Sequence, residues 1–253
     1  MTRIVAGTGP DVLVPEWRVP QAVRAAFTLR TGGVSAAPFD SLNLGAHVGD
    51  TPGAVAENRR RVRACLSLPA EPAWLEQVHG TGVADLDARS EGTGACADAV
   101  ITRRPGRVCA VQVADCMPVL LAARDASAVA VAHAGWRGLA AGVLEATVAQ
   151  FGVAAGELVA WLGPAISARH FEIGGEVRAA LLAADPGAGA AFAPNARGRW
   201  QCDLVALAQR RLGALGVSEV SGGTWCTYAD PARFFSFRRD GRCGRMAALI
   251  WLE

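Results

Sequence analysis

The chain has 253 residues, 51% of them apolar, and a formal net charge of +2. No unbroken apolar run reaches the ~20 residues of a membrane-spanning helix, and the near-neutral balance lacks the basic surplus of a nucleic-acid binder. All 25 basic residues are arginine, which excludes Schiff-base, pyridoxal-lysine and P-loop chemistry, because each requires a lysine.

With neither a linker nor an internal repeat, one domain over residues 1–253 is expected. The N-terminus lacks the apolar stretch of a signal peptide, and the seven cysteines are odd in number and without CxxC spacing. Free thiols in a reducing cytoplasm are therefore expected. The expected partners are small molecules, with no nucleic acid and no membrane, and the sequence carries no signal for an oligomeric state.

In chain order, Val23 to Leu29 reads as a strand ending at Arg30 and the turn Thr31, Gly32, Gly33. The segment FDSLNLGAHVGD, Phe39 to Asp50, has closely spaced turn residues and reads as an ordered loop. Thr51 and Pro52 open a helix whose inner face carries Val55, Val62 and Leu66. Ala73 to Val78 is a predicted short strand ending at His79 and Gly80, with Val83 to Leu86 as its continuation. Asp87 to Ala97 reads as a mobile connection, followed by a strand at Ala99 to Thr102.

Val108 to Ala114 and Ala128 to Ala132 have the continuous apolar character of strands covered on both faces. A helix beginning near Gly138 runs through Val143 and Thr147 to Phe151, and its first turn offers an anion site. Beyond it are predicted a strand at Leu158 to Leu162, a short helix at Glu176 to Ala184 and a loop at Asp185 to Arg199. A helix capped by Asp203 and stopped at Gly216 leads into a strand near Val217 to Val220. The last segment has the form of a hairpin turning at Asp240 and Gly241. Strands and helices mix without strict alternation, so the predicted fold is a layered α/β domain with a mixed sheet flanked by helices.

There are four histidines, His47, His79, His133 and His170. His79 and His133 each end an apolar strand before a glycine turn, and Cys116 follows a third. Three such ligands would leave one position open on zinc, the catalytic pattern for that metal. Two other readings use the same residues. Cys116 could be a nucleophile with His79 or His133 as its base, or the three could hold copper. Met117 is a poor axial ligand for copper, since neighbouring residues on a strand face opposite ways. Four histidines are also too few for a multicopper cluster. Asp98 and Asp115 stand near the same strand ends and could orient a histidine or act as a base. His47 and His170 are read as structural.

The segments RTGGVS (Arg30 to Ser35), FDSLNLGAHVGD, QVHG, ADCMPVLL, AHAGWRGLAAGV, LGPAI, FEIG and FFSFRRDGRCGR occur in an order that resembles the YfiH-like family. The match runs from about Phe27 to Leu252. These proteins are known as laccase-domain polyphenol oxidoreductases and as purine nucleoside phosphorylases. The resemblance implies a fold akin to that of cytotoxic necrotizing factor catalytic domains and zinc held by His79, Cys116 and His133, with copper as the alternative. It also implies phosphorolysis of adenosine, inosine and S-methyl-5′-thioadenosine, with inorganic phosphate as co-substrate, and deamination of adenosine. Substrate and phosphate contacts are expected from Arg30, Asn43, Arg137 and Arg238, since guanidinium groups bind oxyanions bidentately.

Overall fold

The computed structural model describes residues 2–5, 9–88 and 94–253. Three antiparallel strands open the chain, β1 (Thr2–Val5), β2 (Val12–Pro15) and β3 (Val23–Thr28), followed by helix α1 (Pro52–Cys65). Strands β4 (Val83–Asp85), β5 (Ala99–Thr102), β6 (Val108–Val113), β7 (Met117–Ala123) and β8 (Val129–Ala134) come next. Helices α2 (Trp136–Ala141) and α3 (Val143–Ala149) lead to β9 (Leu158–Leu162) and β10 (Glu172–Ile173). The remainder comprises α4 (Gly175–Ala184), β11 (Phe192–Pro194), β12 (Trp200–Cys202), α5 (Leu204–Leu215), β13 (Glu219–Gly222), α6 (Phe237–Asp240) and β14 (Met246–Leu252). Among the described residues no helix is long and apolar enough to cross a membrane.

Two large sheets form the body. One is antiparallel in the order β1-β2-β3-β14-β6; the other is mixed, in the order β13-β9-β7-β8-β5-β4, with parallel pairs at both edges. The alternation of side chains along each strand sorts the core into layers. On β8, Val129 and Val131 pack toward the antiparallel sheet with Val111 and Ile250, while Ala130, Ala132 and Ala134 face helices α2, α3 and α5. The outer face of the antiparallel sheet, with Ala110 and Leu249, is covered by Val62 of α1 and by Leu44. Both sheets are thus buried on two faces, which explains why β6, β7, β8 and β14 read as nearly unbroken apolar runs. The architecture is the predicted layered α/β arrangement.

Several elements depart from the sequence expectation. The helix predicted to run unbroken from Gly138 is divided at Gly142, whose φ of 98° is left-handed, leaving pieces of six and seven residues. Such a short first piece has little macrodipole to offer an anion. Ala73 to Val78 is not a strand but makes single bridges, Ala73 to Cys109 and Glu76 to Cys96. The loop expected at Asp185 to Arg199 contains a 3₁₀ turn at Pro186–Ala191 and β11. The last strand of the mixed sheet begins at Glu219 rather than Val217. No terminal hairpin turns at Asp240 and Gly241. Phe234 and Phe235 are fully buried, Ser236 caps the short helix α6 by accepting from Arg239 N, and β14 then inserts between β3 and β6.

The sequence reading puts Met117 on a strand without bounding it; that strand, β7, is central to the mixed sheet. The connection expected at Asp87 to Ala97 lies partly outside the described residues, at 89–93. Its described ends are pinned, Asp87 accepting from Thr102 Oγ1 and Ala97 N donating to the Glu76 carbonyl.

Candidate active site

The chain leaves β6 in one sheet and enters β7 in the other through Ala114, Asp115 and Cys116. Asp115 makes this crossing with φ at 91°, a left-handed value that is costly for a residue with a Cβ. Its surroundings hold it there. Its carboxylate accepts from Thr227 Oγ1 at 2.5 Å, Ser236 Oγ at 3.0 Å and Arg238 N at 2.7 Å, and its carbonyl accepts from Ile166 N. Asp115 therefore anchors surrounding loops and does not orient a histidine. The crossing puts Cys116 at the seam between the sheets, while Met117 points into the helix-side core.

His133 lies within β8, on the face shared by Val129 and Val131, and so reaches the same seam. His79 arrives from the preceding segment with φ at 61°. Its backbone is held by Asp98, whose carboxylate accepts from Val78 N at 3.1 Å, His79 N at 2.9 Å and Gly80 N at 2.7 Å. The same carboxylate lies 2.8 Å from His133 Nδ1. With Nδ1 donating to Asp98, His133 turns Nε2 toward the group, the nitrogen a metal would bind in place of its proton.

One ligand atom each from His79, Cys116 and His133 falls within 4.8 Å of the others. Cys116 Sγ is 3.8 Å from His79 Nε2. Desolvation would raise the Cys116 thiol, but the charge and hydrogen bonding of His133 and His79 outweigh it and bring it down to about 6. Desolvation likewise opposes charge on His133, yet Cys116 and Asp98 raise it to about 9. The pair is a thiolate beside an imidazolium, so a negative sulfur donor is ready, and the positive charge opposite it is one a metal cation would replace. Gly135 borders the group. A Cβ there would lie 2.9 Å from Cys116 Sγ and 3.2 Å from His79 Cδ2, so the backbone approach requires glycine. Donor types, spacing and an oriented histidine all fit a metal ion.

The triad opens onto a cavity of about 420 Å³. Arg137 and Arg238, two of the residues named for substrate or phosphate contacts, line it, Arg238 holding the Glu172 carbonyl through Nη1. Arg30 and Asn43 lie outside that lining, contrary to the expected substrate contacts. The Arg30 guanidinium is spent on the Asp40 and Pro231 carbonyls and stacks on Phe235. Asn43 is fully buried and bonded to Gly45, Asp50 and Arg245 N, where it fastens the loop. Both sit in turn-rich segments because they hold those turns together.

Sequence reasoning missed His47, Gln77, Gln112 and Arg245, all of which line the cavity. A signal existed for Gln112, the one polar residue inside the apolar run VCAVQV. His170, read as structural, stacks on Tyr228 away from the cavity.

The family model described as multi-copper polyphenol oxidoreductase laccase matches residues 3–253. A purine nucleoside phosphorylase of Pseudomonas aeruginosa is 54% identical over 242 residues, covering 95% of this chain and 98% of that protein. The purine nucleoside phosphorylase YfiH of Escherichia coli is 51% identical over 241 residues, with the same two coverages. Among solved structures, a Neisseria meningitidis protein superposes with a TM-score of 0.91 at 47% identity, covering 96% of this chain and 99% of that one. A Bacillus licheniformis protein, YfiH, gives 0.92 at 27% identity over 100% and 99% of the two chains. Sequence and fold agree along the whole length, and the chain belongs to the YfiH-like, laccase-domain family.

Proposed function

We propose that this chain is a zinc-dependent purine nucleoside phosphorylase that cleaves adenosine, inosine and S-methyl-5′-thioadenosine with inorganic phosphate and also deaminates adenosine. The observation that carries the reading is the His79, Cys116, His133 group on a cavity of about 420 Å³ lined by three guanidinium side chains, Arg137, Arg238 and Arg245. That volume lies within the ~300–1,000 Å³ of small-molecule sites. The names of the Pseudomonas and Escherichia relatives support the same activity.

His79, Cys116 and His133 would hold the zinc ion, and three protein ligands are the number found in catalytic zinc sites. When bound there, zinc supplies Lewis-acid charge and brings the pKa of a water molecule to ~7. Asp98 keeps His133 in the ligating tautomer and holds the backbone of His79. The guanidinium groups draw phosphate into the cavity and fix its orientation, which lowers the entropic cost of meeting the sugar carbon. Trp136, Phe171 and Phe237 on the cavity wall, each with an arginine guanidinium over its ring, offer apolar surface to a purine.

The test is metal analysis of purified protein followed by an assay of adenosine with and without phosphate. About one zinc per chain, with phosphate-dependent release of adenine and ribose 1-phosphate that chelation abolishes, is expected. Copper with oxygen-dependent oxidation of phenols would replace this reading with the oxidoreductase of the family's description. Metal-free activity abolished by thiol alkylation would make Cys116 the nucleophile of a hydrolase.

A further inference from the structure

Gln112 stands on β6 in register with Ala247 of β14, and its backbone is already served. Gln77 acts as a two-point splint, its Oε1 accepting from Gln112 N at 2.7 Å and its Nε2 donating to the Gln112 carbonyl at 2.9 Å. The Gln112 side chain makes no such contribution. It lines the cavity, it is 6% exposed, and its Oε1 is buried without a hydrogen-bond partner. Space for it is kept by Gly45, where a Cβ would come within 3.3 Å of that oxygen and 2.8 Å of Arg245 Cγ. A buried acceptor left unpaired costs about 1–3 kcal/mol, a cost that a ligand donor removes. Gln112 is also the one polar side chain of a strand otherwise built from Val, Ala and Cys.

We infer that Gln112 is a specificity-determining residue whose Oε1 accepts a hydrogen bond from the ribose 2′,3′-diol of the nucleoside. The inference rests on the proposed nucleoside reading and names what recognises the sugar. A neutral amide oxygen brings a lone pair and no charge toward phosphate, whose oxygens are mostly acceptors, so phosphate is matched better by the guanidinium groups of the cavity. Among donor groups, adenosine and S-methyl-5′-thioadenosine carry a 6-amino group that inosine lacks, and the thioether lacks the 5′-hydroxyl. The 2′- and 3′-hydroxyls are common to all three. A site built to pair with a hydroxyl rejects the analogue without it, because the protein acceptor is then left buried and unpaired.

The experiment compares wild type, Gln112→Leu and Gln112→Glu on adenosine, inosine, 2′-deoxyadenosine and 3′-deoxyadenosine. It measures kcat/KM with phosphate and, by calorimetry, the affinity for each nucleoside, after bound zinc has been checked in every variant. Wild type should prefer the ribonucleosides over at least one deoxy analogue by about tenfold or more. Gln112→Leu should lose that preference, with adenosine and inosine falling together, and Gln112→Glu, which keeps an acceptor, should restore part of it. An equal loss on ribo- and deoxynucleosides in Gln112→Leu would overturn the inference and leave Gln112 a packing residue. A change confined to adenosine against inosine would overturn it in favour of base reading. If wild type binds ribonucleosides selectively through Gln112 but does not cleave them, the inference stands and the phosphorylase reading fails. If wild type binds no nucleoside, both fail.

Discussion

Asp98 Oδ1 lies 2.8 Å from His133 Nδ1 and 2.9 Å from His79 N, so one carboxylate orients the ring of one candidate ligand and the backbone of another. The carboxylate is fully buried, and His133 beside it and the backbone N–H groups of Gly80 and Val78 overcome desolvation to hold its pKa low. Asp98→Ala should lower metal affinity by about 10- to 100-fold, the usual cost of losing a partner behind a ligating histidine. Competition with a chromogenic chelator measures this, and an unchanged affinity would remove Asp98 from the site's support.

Cys116 should be the most reactive thiol of the metal-stripped protein. Its pKa is lowered to about 6, so the thiolate dominates above that pH and alkylation should rise through that point and level off near neutrality. Buried Cys202, pushed up to about 12, and buried Cys109, pushed well above the ordinary range, should resist. Mass spectrometry of iodoacetamide-treated protein across pH reports all three, and added zinc should protect Cys116 selectively.

Gly135→Ala places a methyl group 2.9 Å from Cys116 Sγ, inside contact distance. The sulfur must shift, and turnover should fall by about 10- to 100-fold as a reacting group moves from its aligned position. Thermal unfolding should change little, since the displaced atom is the end of a side chain. A large loss of melting temperature together with normal turnover would contradict this account.

Asp115→Ala removes the common acceptor of Thr227, Ser236 and Arg238 N and leaves those donors in a buried position. A destabilisation of about 2–4 kcal/mol is expected from denaturant unfolding. Activity measured well below the melting transition should fall as well, because the same carboxylate holds Cys116's turn and the backbone of Arg238.

Arg30→Ala should weaken the protein's loops and not its grip on phosphate. The guanidinium holds the Asp40 and Pro231 carbonyls and stacks on Phe235. The Michaelis constant for phosphate should stay within about twofold while stability drops by about 1–3 kcal/mol, the loss of hydrogen bonds from a charged donor and of its stacking on Phe235. Arg238→Ala, on the cavity wall, should raise that constant instead.

The sequence by itself determined the strand runs at β5, β6, β8 and β9, because residues buried on two faces leave an apolar record that needs no partner to be read. It also marked Cys116 and His133, which stand out against such runs, and His79, although the segment before it is bridged and not a strand. Arg30 and Asn43 showed the limit of that reasoning. A turn-rich segment looks the same whether its polar residues face a substrate or bind the turn itself. The central place of strand β7 and the positions of His47, Gln77 and Arg245 on the cavity wall were decided by tertiary structure, while Gln112 left a local signal as the one polar residue of its run. The exit of β7 between β8 and β9, the crossing at Asp115 from one sheet to the other and the clamp of Asp98 on residues about 20 and 35 positions away are non-local pairings, and local spacing does not record them.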